Sequence, residues 1–144
     1  MHCTYKELYP GLDFSHFSQT VDQYLSNQTP LWWVEAVVTP QQQPLFKLNP
    51  RLISSNPIAC LWLGNAVDQV EGDLMAHIFL LYVDPQHRRR GIASELMHHA
   101  EQWAEQRGDQ KISLQVFCQN QTALNLYRKL GYQVQALTLH KSLG

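Results

Sequence analysis

The chain has 144 residues, of which 44% are hydrophobic, and a formal net charge of −1 at pH 7. This length predicts a single domain over residues 1–144 that buries about two-thirds of its unfolded surface, and the near-zero charge provides no general attraction for nucleic acid. No apolar stretch is long enough to span a bilayer, and three widely spaced cysteines without an apolar leader indicate a reduced, cytoplasmic setting.

The N-terminal part of the chain predicts a strand, a helix and a second strand. Residues 3–9 favour a short first strand. Asp13 stands where a helix N-cap is expected, and apolar residues at helical spacing follow it up to about Ser26. The run Leu31–Val38 is apolar and rich in tryptophan and valine, which is typical of a strand.

A proline-rich segment separates this strand from the next one. Thr39–Asn56 holds three prolines and little periodicity, so we expect either a substrate-facing flap or an excursion with a short strand at Leu45–Leu48. Ile58–Leu63 then predicts a strand, and Gly64 is the expected site of a β-bulge.

The second half of the chain alternates strands and helices. We expect strands at 74–83, Ile112–Cys118 and Gln133–Lys141, and helices from about Ile92 to Arg107 and from Asn120 to Leu130. Gly108 and Gly131 follow the two helices and are expected to end them. The element order predicts an α/β (α+β) fold in which a mixed sheet is covered by helices.

The turn after the strand at 74–83 holds the residues that we expect to bind a ligand. It contains Asp84-Pro85, the basic run His87–Arg90 and the small residues Gly91 and Ala93. A strand that breaks directly into a helix leaves unpaired N–H groups at the positive end of the helix dipole, which favours an anion such as a diphosphate. Neither a G-x-G-x-x-G motif nor a phosphate loop ending in Gly-Lys-Ser/Thr is present, which argues against those two nucleotide sites.

Two motifs occur in order and at matching distance. Arg88-x-x-Gly91-x-Ala93 resembles the acyl-CoA-binding signature of the GNAT superfamily of N-acyltransferases. Asn120-x-x-Ala123-x-x-x-Tyr127-x-x-x-Gly131-Tyr132 resembles the second conserved block of that family. The resemblance covers about residues 74–141. It implies a GNAT-like, mainly antiparallel mixed sheet whose central strands splay apart to admit the pantetheine arm of the cofactor.

The resemblance also implies roles for individual residues. Tyr127 would protonate the leaving thiolate as general acid; periodicity alone favours a packed core tyrosine, and the register with Asn120, Ala123 and Gly131 favours the catalytic role. Asn120 would bind the pantetheine arm, cap its helix, or do both. The full set of expected cofactor-binding residues is Leu81, Tyr82, Val83, Arg88, Arg89, Arg90, Gly91, Ile92, Ala93, Ser94, Asn120, Ala123 and Tyr127.

The resemblance does not fix the identity of the general base. His77 lies eleven residues before Arg88, where the histone-acetyltransferase branch carries a glutamate base, and a neutral histidine can do that work. A satisfied core histidine is an equally good explanation, and alternation predicts that His77 shares a face with Leu81 and Val83. Gln115 stands where ribosomal-protein N-terminal acetyltransferases carry glutamate. This difference argues against N-terminal peptide acetylation by the mechanism of those enzymes.

The sequence therefore predicts an acyl-CoA N-acyltransferase that uses acetyl-CoA, needs no metal, and acts on a small-molecule or peptide amine. A non-catalytic acyl-CoA-sensing domain and a nucleic-acid-binding module using His87–Arg90 are the alternatives. No nucleic-acid or membrane partner is expected, and a homodimer is left open. We expect Cys118 to be a buried, inert thiol, while Trp32, Trp33, Phe14 and Tyr82 are candidates to line an acceptor pocket.

Overall fold

The computed structural model describes residues 1–36 and 57–144. Within these ranges the chain forms four α-helices and four strands: α1 (His2–Leu8), α2 (Phe17–Tyr24), β1 (Leu31–Glu35), β2 (Pro57–Val67), β3 (Leu74–Val83), α3 (Ile92–Arg107), β4 (Ile112–Leu114) and α4 (Gln121–Lys129). The flap or strand predicted within Thr39–Asn56, including Leu45–Leu48, lies outside the described residues, as does the end of the strand predicted at Leu31–Val38.

The four strands form one sheet in the order β1-β2-β3-β4. β1 pairs with β2 and β2 with β3 in antiparallel fashion, whereas β3 and β4 run parallel. The predicted mixed, mainly antiparallel sheet is therefore confirmed, and β3 has the bounds predicted for the central strand. β2 is longer than predicted because its hairpin with β3 continues to the tight turn at 68–73.

The core lies between one face of the sheet and α3. Leu61 and Leu63 of β2 are completely buried, and Met97 and Ala100 of α3 are buried against them. The helical spacing predicted this apolar face, because residues one turn apart point the same way. Gly108 adopts a left-handed conformation with φ 95° and ends the helix as predicted, since only glycine enters that region without strain.

β3 contains a β-bulge at Phe79. Trp62 pairs with Leu80, but the next residue, Leu63, pairs with Ile78, so Phe79 is an extra residue on β3. The bulge predicted at Gly64 is therefore wrong. Gly64 has a different purpose: a Cβ atom there would overlap the Phe79 ring, so the missing side chain makes room for the bulged residue.

The first predicted strand, at 3–9, is wrong because this stretch is helix α1. Tyr5 and Tyr9 lie one helical turn apart, and both rings contact Phe117, at centroid distances of 5.7 and 5.4 Å. A helix places residues i and i+4 on one face, whereas a strand of the same length would separate them by about 13 Å. Tertiary contact with Phe117 thus favours the helix.

Asp13 does not cap α2. Its carboxylate accepts hydrogen bonds from the N–H and hydroxyl of Ser15, each at 3.0 Å, which forms a turn just before the helix. The N-cap residue is His16, which makes no side-chain capping bond. The N-cap predicted at Asp13 is therefore wrong, because this short polar side chain forms a local turn three residues before the N-cap position.

The last predicted strand, Gln133–Lys141, is wrong, and β4 stops at Leu114 rather than Cys118. Residues 133–144 form no strand, and Leu137 and Leu139 are 73% and 90% exposed. Alternating apolar residues favour a strand only where a neighbouring strand completes the hydrogen-bond ladder, and no described strand does so here. Among the described residues, no helix is long and apolar enough to cross a membrane.

Candidate active site

A cleft opens between β3 and β4. The two strands pair only from Ala76–Ile112 to Ile78–Leu114, and beyond this point they separate around a cavity. Four consecutive residues of β3 reach the cavity, which shows that the edge of the strand faces it. The lining residues are Thr4, Tyr5 and Leu8 of α1, residues 78–81 of β3, residues 114–117, and Asn120, Ala123 and Tyr127 at α4. The splayed central strands expected from the motifs are present.

Helix α4 brings three of the expected site residues to this cleft. Asn120 is the N-cap of α4, and its Oδ1 accepts a hydrogen bond of 3.2 Å from the backbone N–H of Ala123. Tyr127 lies two turns further on, and burial raises the pKa of its hydroxyl above the ordinary value. The hydroxyl is therefore protonated at neutral pH and can donate a hydrogen bond or a proton within the cleft.

The turn from β3 to α3 leaves backbone N–H groups without intrahelical partners at the start of α3. Arg89 and Gly91 both have left-handed backbones, with φ of 64° and 81°, which turn the chain sharply into α3. The N–H of Glu95 donates to the Gly91 carbonyl at 3.0 Å. The N–H groups of Ile92, Ala93 and Ser94 therefore precede the first intrahelical bond and are directed at the helix end.

Arg88 anchors this turn from within. Its Nε donates to the Val83 carbonyl at 2.9 Å, and its Nη2 donates to both carboxylate oxygens of Glu7 at 2.7 and 2.9 Å. The guanidinium also stands 5.9 Å from the Tyr82 ring centroid. Arg88 thus joins the end of β3 to helix α1, and Arg88, Arg89 and Arg90 are all exposed.

His77 lies beside the cleft rather than in its lining. Its Nδ1 is 2.8 Å from the Ser113 hydroxyl, which in turn donates to the Ala76 carbonyl at 3.4 Å. Either the hydroxyl or Nδ1–H can be the donor in the His77–Ser113 contact, so this contact orients the ring without fixing its tautomer. Burial lowers the pKa of His77, so the ring is neutral at pH 7.

The bulge changes the face on which His77 lies. Leu81 and Val83 pair with Leu61 and Ala59 on the buried face that packs on α3. His77 lies on the opposite face, where its ring is 5.1 Å from that of Phe79. The expectation that His77 shares a face with Leu81 and Val83 is therefore wrong, because the inserted residue shifts the alternation by one.

The aromatic residues expected around an acceptor pocket are scattered. Trp32 packs on His99 and Trp103 of α3, Trp33 is exposed, and Phe14 is stacked against Phe17. Cys118 is exposed, in contrast to the expected burial. These residues define no common acceptor pocket in the described part of the chain.

Three residues in and around the cleft escaped the sequence interpretation. Thr4 lines the cleft, Glu7 binds Arg88 and Ser113 contacts His77, and no local motif marks any of them. For Ser113 a signal existed, because parallel pairing of β3 with β4 places it opposite His77. For Thr4 and Glu7 the misassigned first strand hid the helical face on which they lie.

The sequence and the fold both match known proteins. The sequence model of the acetyltransferase (GNAT) family matches residues 6–132. The uncharacterized N-acetyltransferase YycN of Bacillus subtilis is 32% identical over 97 residues, or 67% of this chain and 58% of that protein. The chain spans between 31% and 58% of the lengths of the curated relatives it matches.

Solved structures show the same architecture. A candidate acetyl transferase from Pyrococcus furiosus is 34% identical and matches with a TM-score of 0.58 over 67% of this chain and 62% of that chain. The structure of AAC(6′)-Iy with the bisubstrate analogue CoA-S-monomethyl-acetylneamine matches with a TM-score of 0.64 over 95% of this chain and 85% of that chain. At 15% identity, this second likeness shows the fold alone.

Proposed function

Since this chain belongs to the GNAT acetyltransferase family, we propose that it transfers an acetyl group from acetyl-CoA to a primary amine by direct attack. The observation that carries the proposal is the cleft between β3 and β4. Tyr127 lines this cleft, and α3 begins beyond the end of β3 without a side-chain N-cap. The three free cysteines, Cys3, Cys60 and Cys118, suit a reducing cytoplasm.

The cradle formed by residues 88–94 suits the diphosphate of CoA. The N–H groups at the start of α3 and the helix dipole favour negative charge, and the exposed Arg89 and Arg90 add positive charge. Arg88 contributes mainly by holding the turn, because its guanidinium is already bonded to the Val83 carbonyl and to Glu7.

The cleft suits the pantetheine arm, which is long, narrow and amide-bearing. Beyond Ile78 no described strand pairs with the cleft edge of β3, so the backbone at Leu81, Tyr82 and Val83 is positioned to extend a ladder along the arm. Asn120 and Ala123 line the opposite wall at the start of α4.

The chemistry requires two proton transfers. The amine nitrogen forms a bond to the thioester carbon and loses a proton, the C–S bond breaks, and the sulfur gains a proton. Tyr127 lies in the cleft with its proton retained and is the proposed donor to the sulfur. His77, neutral and oriented by its contact with Ser113, is the proposed acceptor of the amine proton. It lies next to Phe79, which lines the cleft.

Binding and turnover together test the proposal. Calorimetry with acetyl-CoA and release of the CoA thiol with a panel of amines (a polyamine, an aminoglycoside, lysine and a peptide N-terminus) should show binding and acetyl transfer to at least one acceptor. A protein that neither binds acetyl-CoA nor releases thiol with any of these amines would contradict the assignment.

Tyr127→Phe isolates the proton donor. The ring packing remains, so we expect kcat to fall about 10²-fold or more while the affinity for acetyl-CoA changes little. Tyr132→Phe is the matched control, because the Tyr132 hydroxyl instead donates to Glu101 of α3 at 3.0 Å. That variant should lose stability and keep its kcat. Full activity in Tyr127→Phe would assign Tyr127 to packing alone.

A further inference from the structure

Four aromatic rings lie together on the face of the sheet that is directed away from α3. The Phe79 ring is at the centre of the group, with its centroid 5.2 Å from that of Tyr24. The rings of Trp62 and His77 are each 5.1 Å from it. Part of the Phe79 ring occupies the space that a side chain at Gly64 would need, so it lies close against the sheet. The group therefore extends from the last residue of α2 to the proposed base on β3.

Three of these rings form an aromatic platform (Tyr24, Phe79 and Trp62) with the histidine at its edge. The Phe79 ring is inclined by 36° to that of Trp62 and by 38° to that of Tyr24, whereas the His77 ring meets it at 76°. Trp62 is buried, but Tyr24 is 45% exposed and Phe79 is half-buried. A ligand from solvent can therefore reach the Tyr24 and Phe79 rings, and a flat group lying on them has the imidazole beside it.

The platform is continuous with the cleft through Phe79, which is one of the residues that line the cleft. An amine that attacks a thioester in the cleft and passes its proton to His77 approaches both of them beside Phe79, because this side chain adjoins the cleft and the imidazole alike. The part of the acceptor beyond its amine then extends over Phe79 toward Tyr24, the more exposed of the two rings.

We propose that the aromatic platform binds the acceptor, that the acceptor is a primary amine carried on a flat, apolar body such as an aromatic ring, and that Tyr24 determines this specificity. The inference rests on the proposed function, since it takes the amine acceptor of acetyl transfer as the ligand. Aromatic rings pack on one another in offset or tilted arrangements. Small-molecule sites are mostly apolar, with a few polar groups that fix the orientation of the ligand, and here His77 is the polar group beside the amine.

The same rings argue against a polycationic acceptor. A ring face attracts an ammonium group, but this attraction is weak where water reaches the ring, and Tyr24 is nearly half exposed. The ring contacts of Phe79 are with tyrosine, tryptophan and histidine, and none of these supplies a carboxylate. A second positive charge on the acceptor therefore meets no counter-charge in these contacts, whereas an apolar body gains free energy by leaving water for the rings.

The test compares acceptors and variants at Tyr24. 2-Phenylethylamine carries a flat apolar body, n-butylamine lacks the ring, and spermidine is a polycation. We expect the parent to acetylate 2-phenylethylamine with a kcat/KM about 10-fold above the values for the other two. Tyr24→Ala should raise the KM for 2-phenylethylamine about 3- to 10-fold, whereas Tyr24→Phe keeps the ring and should stay within about twofold of the parent. The KM values for n-butylamine and acetyl-CoA should not change in either variant.

Leu25→Ala is the matched control variant. Leu25 directly follows Tyr24 and is 52% exposed, so the substitution removes exposed apolar surface at the same end of α2 without removing a ring. It should leave every KM as in the parent. A rise in the KM for 2-phenylethylamine as large as that in Tyr24→Ala would overturn the inference. So would an equal rise for both amines in Tyr24→Ala, which indicates displacement of α2.

The remaining outcomes separate this inference from the proposed function. An unchanged KM for 2-phenylethylamine in Tyr24→Ala would overturn the inference, and so would a parent that prefers spermidine. A parent that acetylates spermidine or n-butylamine but not 2-phenylethylamine would overturn the inference and leave the proposed function intact. If the parent neither binds acetyl-CoA in calorimetry nor acetylates any amine, the proposed function fails and this inference fails with it.

Discussion

At the scale of single residues, the surroundings of His77 decide its charge and its orientation. Burial lowers its pKa, and the contact with Ser113 orients the ring. A base must be unprotonated before it can act, so the rate should fall as the pH drops through the lowered pKa of His77, below its ordinary value of 6.5, and not at that value itself.

His77→Gln tests the base directly. Glutamine keeps polarity and approximate size but cannot accept a proton, so the rate with a basic amine should fall about 10²-fold at pH 7. Raising the pH should partly restore it, because more of the amine is then neutral already. The measurement is kcat/KM against pH, with the melting temperature determined in parallel.

Ser113→Ala is the matched variant for His77→Gln. It removes the group that orients the ring and leaves the imidazole, so the loss of rate should be smaller and the acid limb should move. An unshifted pH profile with normal activity in His77→Gln, accompanied by a lower Tm, would assign His77 a structural role only.

At the scale of elements, the strength of the local pattern decided what the sequence could predict. α3 carries four turns of consistent apolar spacing and a terminal glycine, and its bounds were predicted closely. α1 has only seven residues, too few for helical and strand periods to be distinguished. Its helical form depends on the contact with Phe117, which is remote in sequence.

In the active-site region, too, the strength of the local sequence pattern decided which features could be predicted. The cradle at 88–94 and the cleft residues of α4 were predicted because short motifs fix both their identity and their spacing. The face of His77 was not predicted, because the bulge at Phe79 leaves no mark in the alternation of β3. Residues 133–144 show the reverse case, in which a strand pattern is present but no described strand pairs with it.

Gly64 is the residue that permits the bulge. We expect Gly64→Ala to destabilise the protein by about 1–3 kcal/mol, the usual cost of overpacking, because the new Cβ overlaps the Phe79 ring. Denaturant unfolding measures the change. In a Phe79→Leu background the same substitution should cost less, since the ring is gone. Strictly additive losses in the double variant would show that the two positions do not compete for space.

At the scale of the whole molecule, two buried carboxylates join the far end of the sheet to the segments around it. Asp68, which is 2% exposed, accepts hydrogen bonds from Lys111 at 2.8 Å and from the N–H groups of Val70 and Glu71 at 2.8 and 3.2 Å. Asp109 accepts from the N–H of Ala76 at 2.7 Å and from Arg107. Together they link the β2–β3 turn, β3 and the segment leading into β4.

The bond from Lys111, followed by those from the two backbone N–H groups, lowers the pKa of Asp68 from 3.8 to about 2. A depressed carboxyl pKa stabilises the fold above the unfolded value, and this contribution disappears as the pH falls toward 2. We expect Tm to decline between about pH 4 and pH 2, and the decline to be shallower in Asp68→Asn. Asp73→Asn, at an exposed position of the same turn, is the control. An equally steep decline in Asp68→Asn would contradict this account.

The extra residue at Phe79 shifts the alternation of side chains between the two faces of β3 by one position. Upstream of it the even-numbered positions Ala76 and Ile78 face α3, and downstream the odd-numbered positions Leu81 and Val83 do so. Counting in twos back from Val83 therefore assigns the wrong side of the sheet to every residue before Phe79. Odd and even positions of β3 can be assigned to a face of the sheet only once the inserted residue has been located. Relatives must therefore be aligned on the bulge before their side chains are compared.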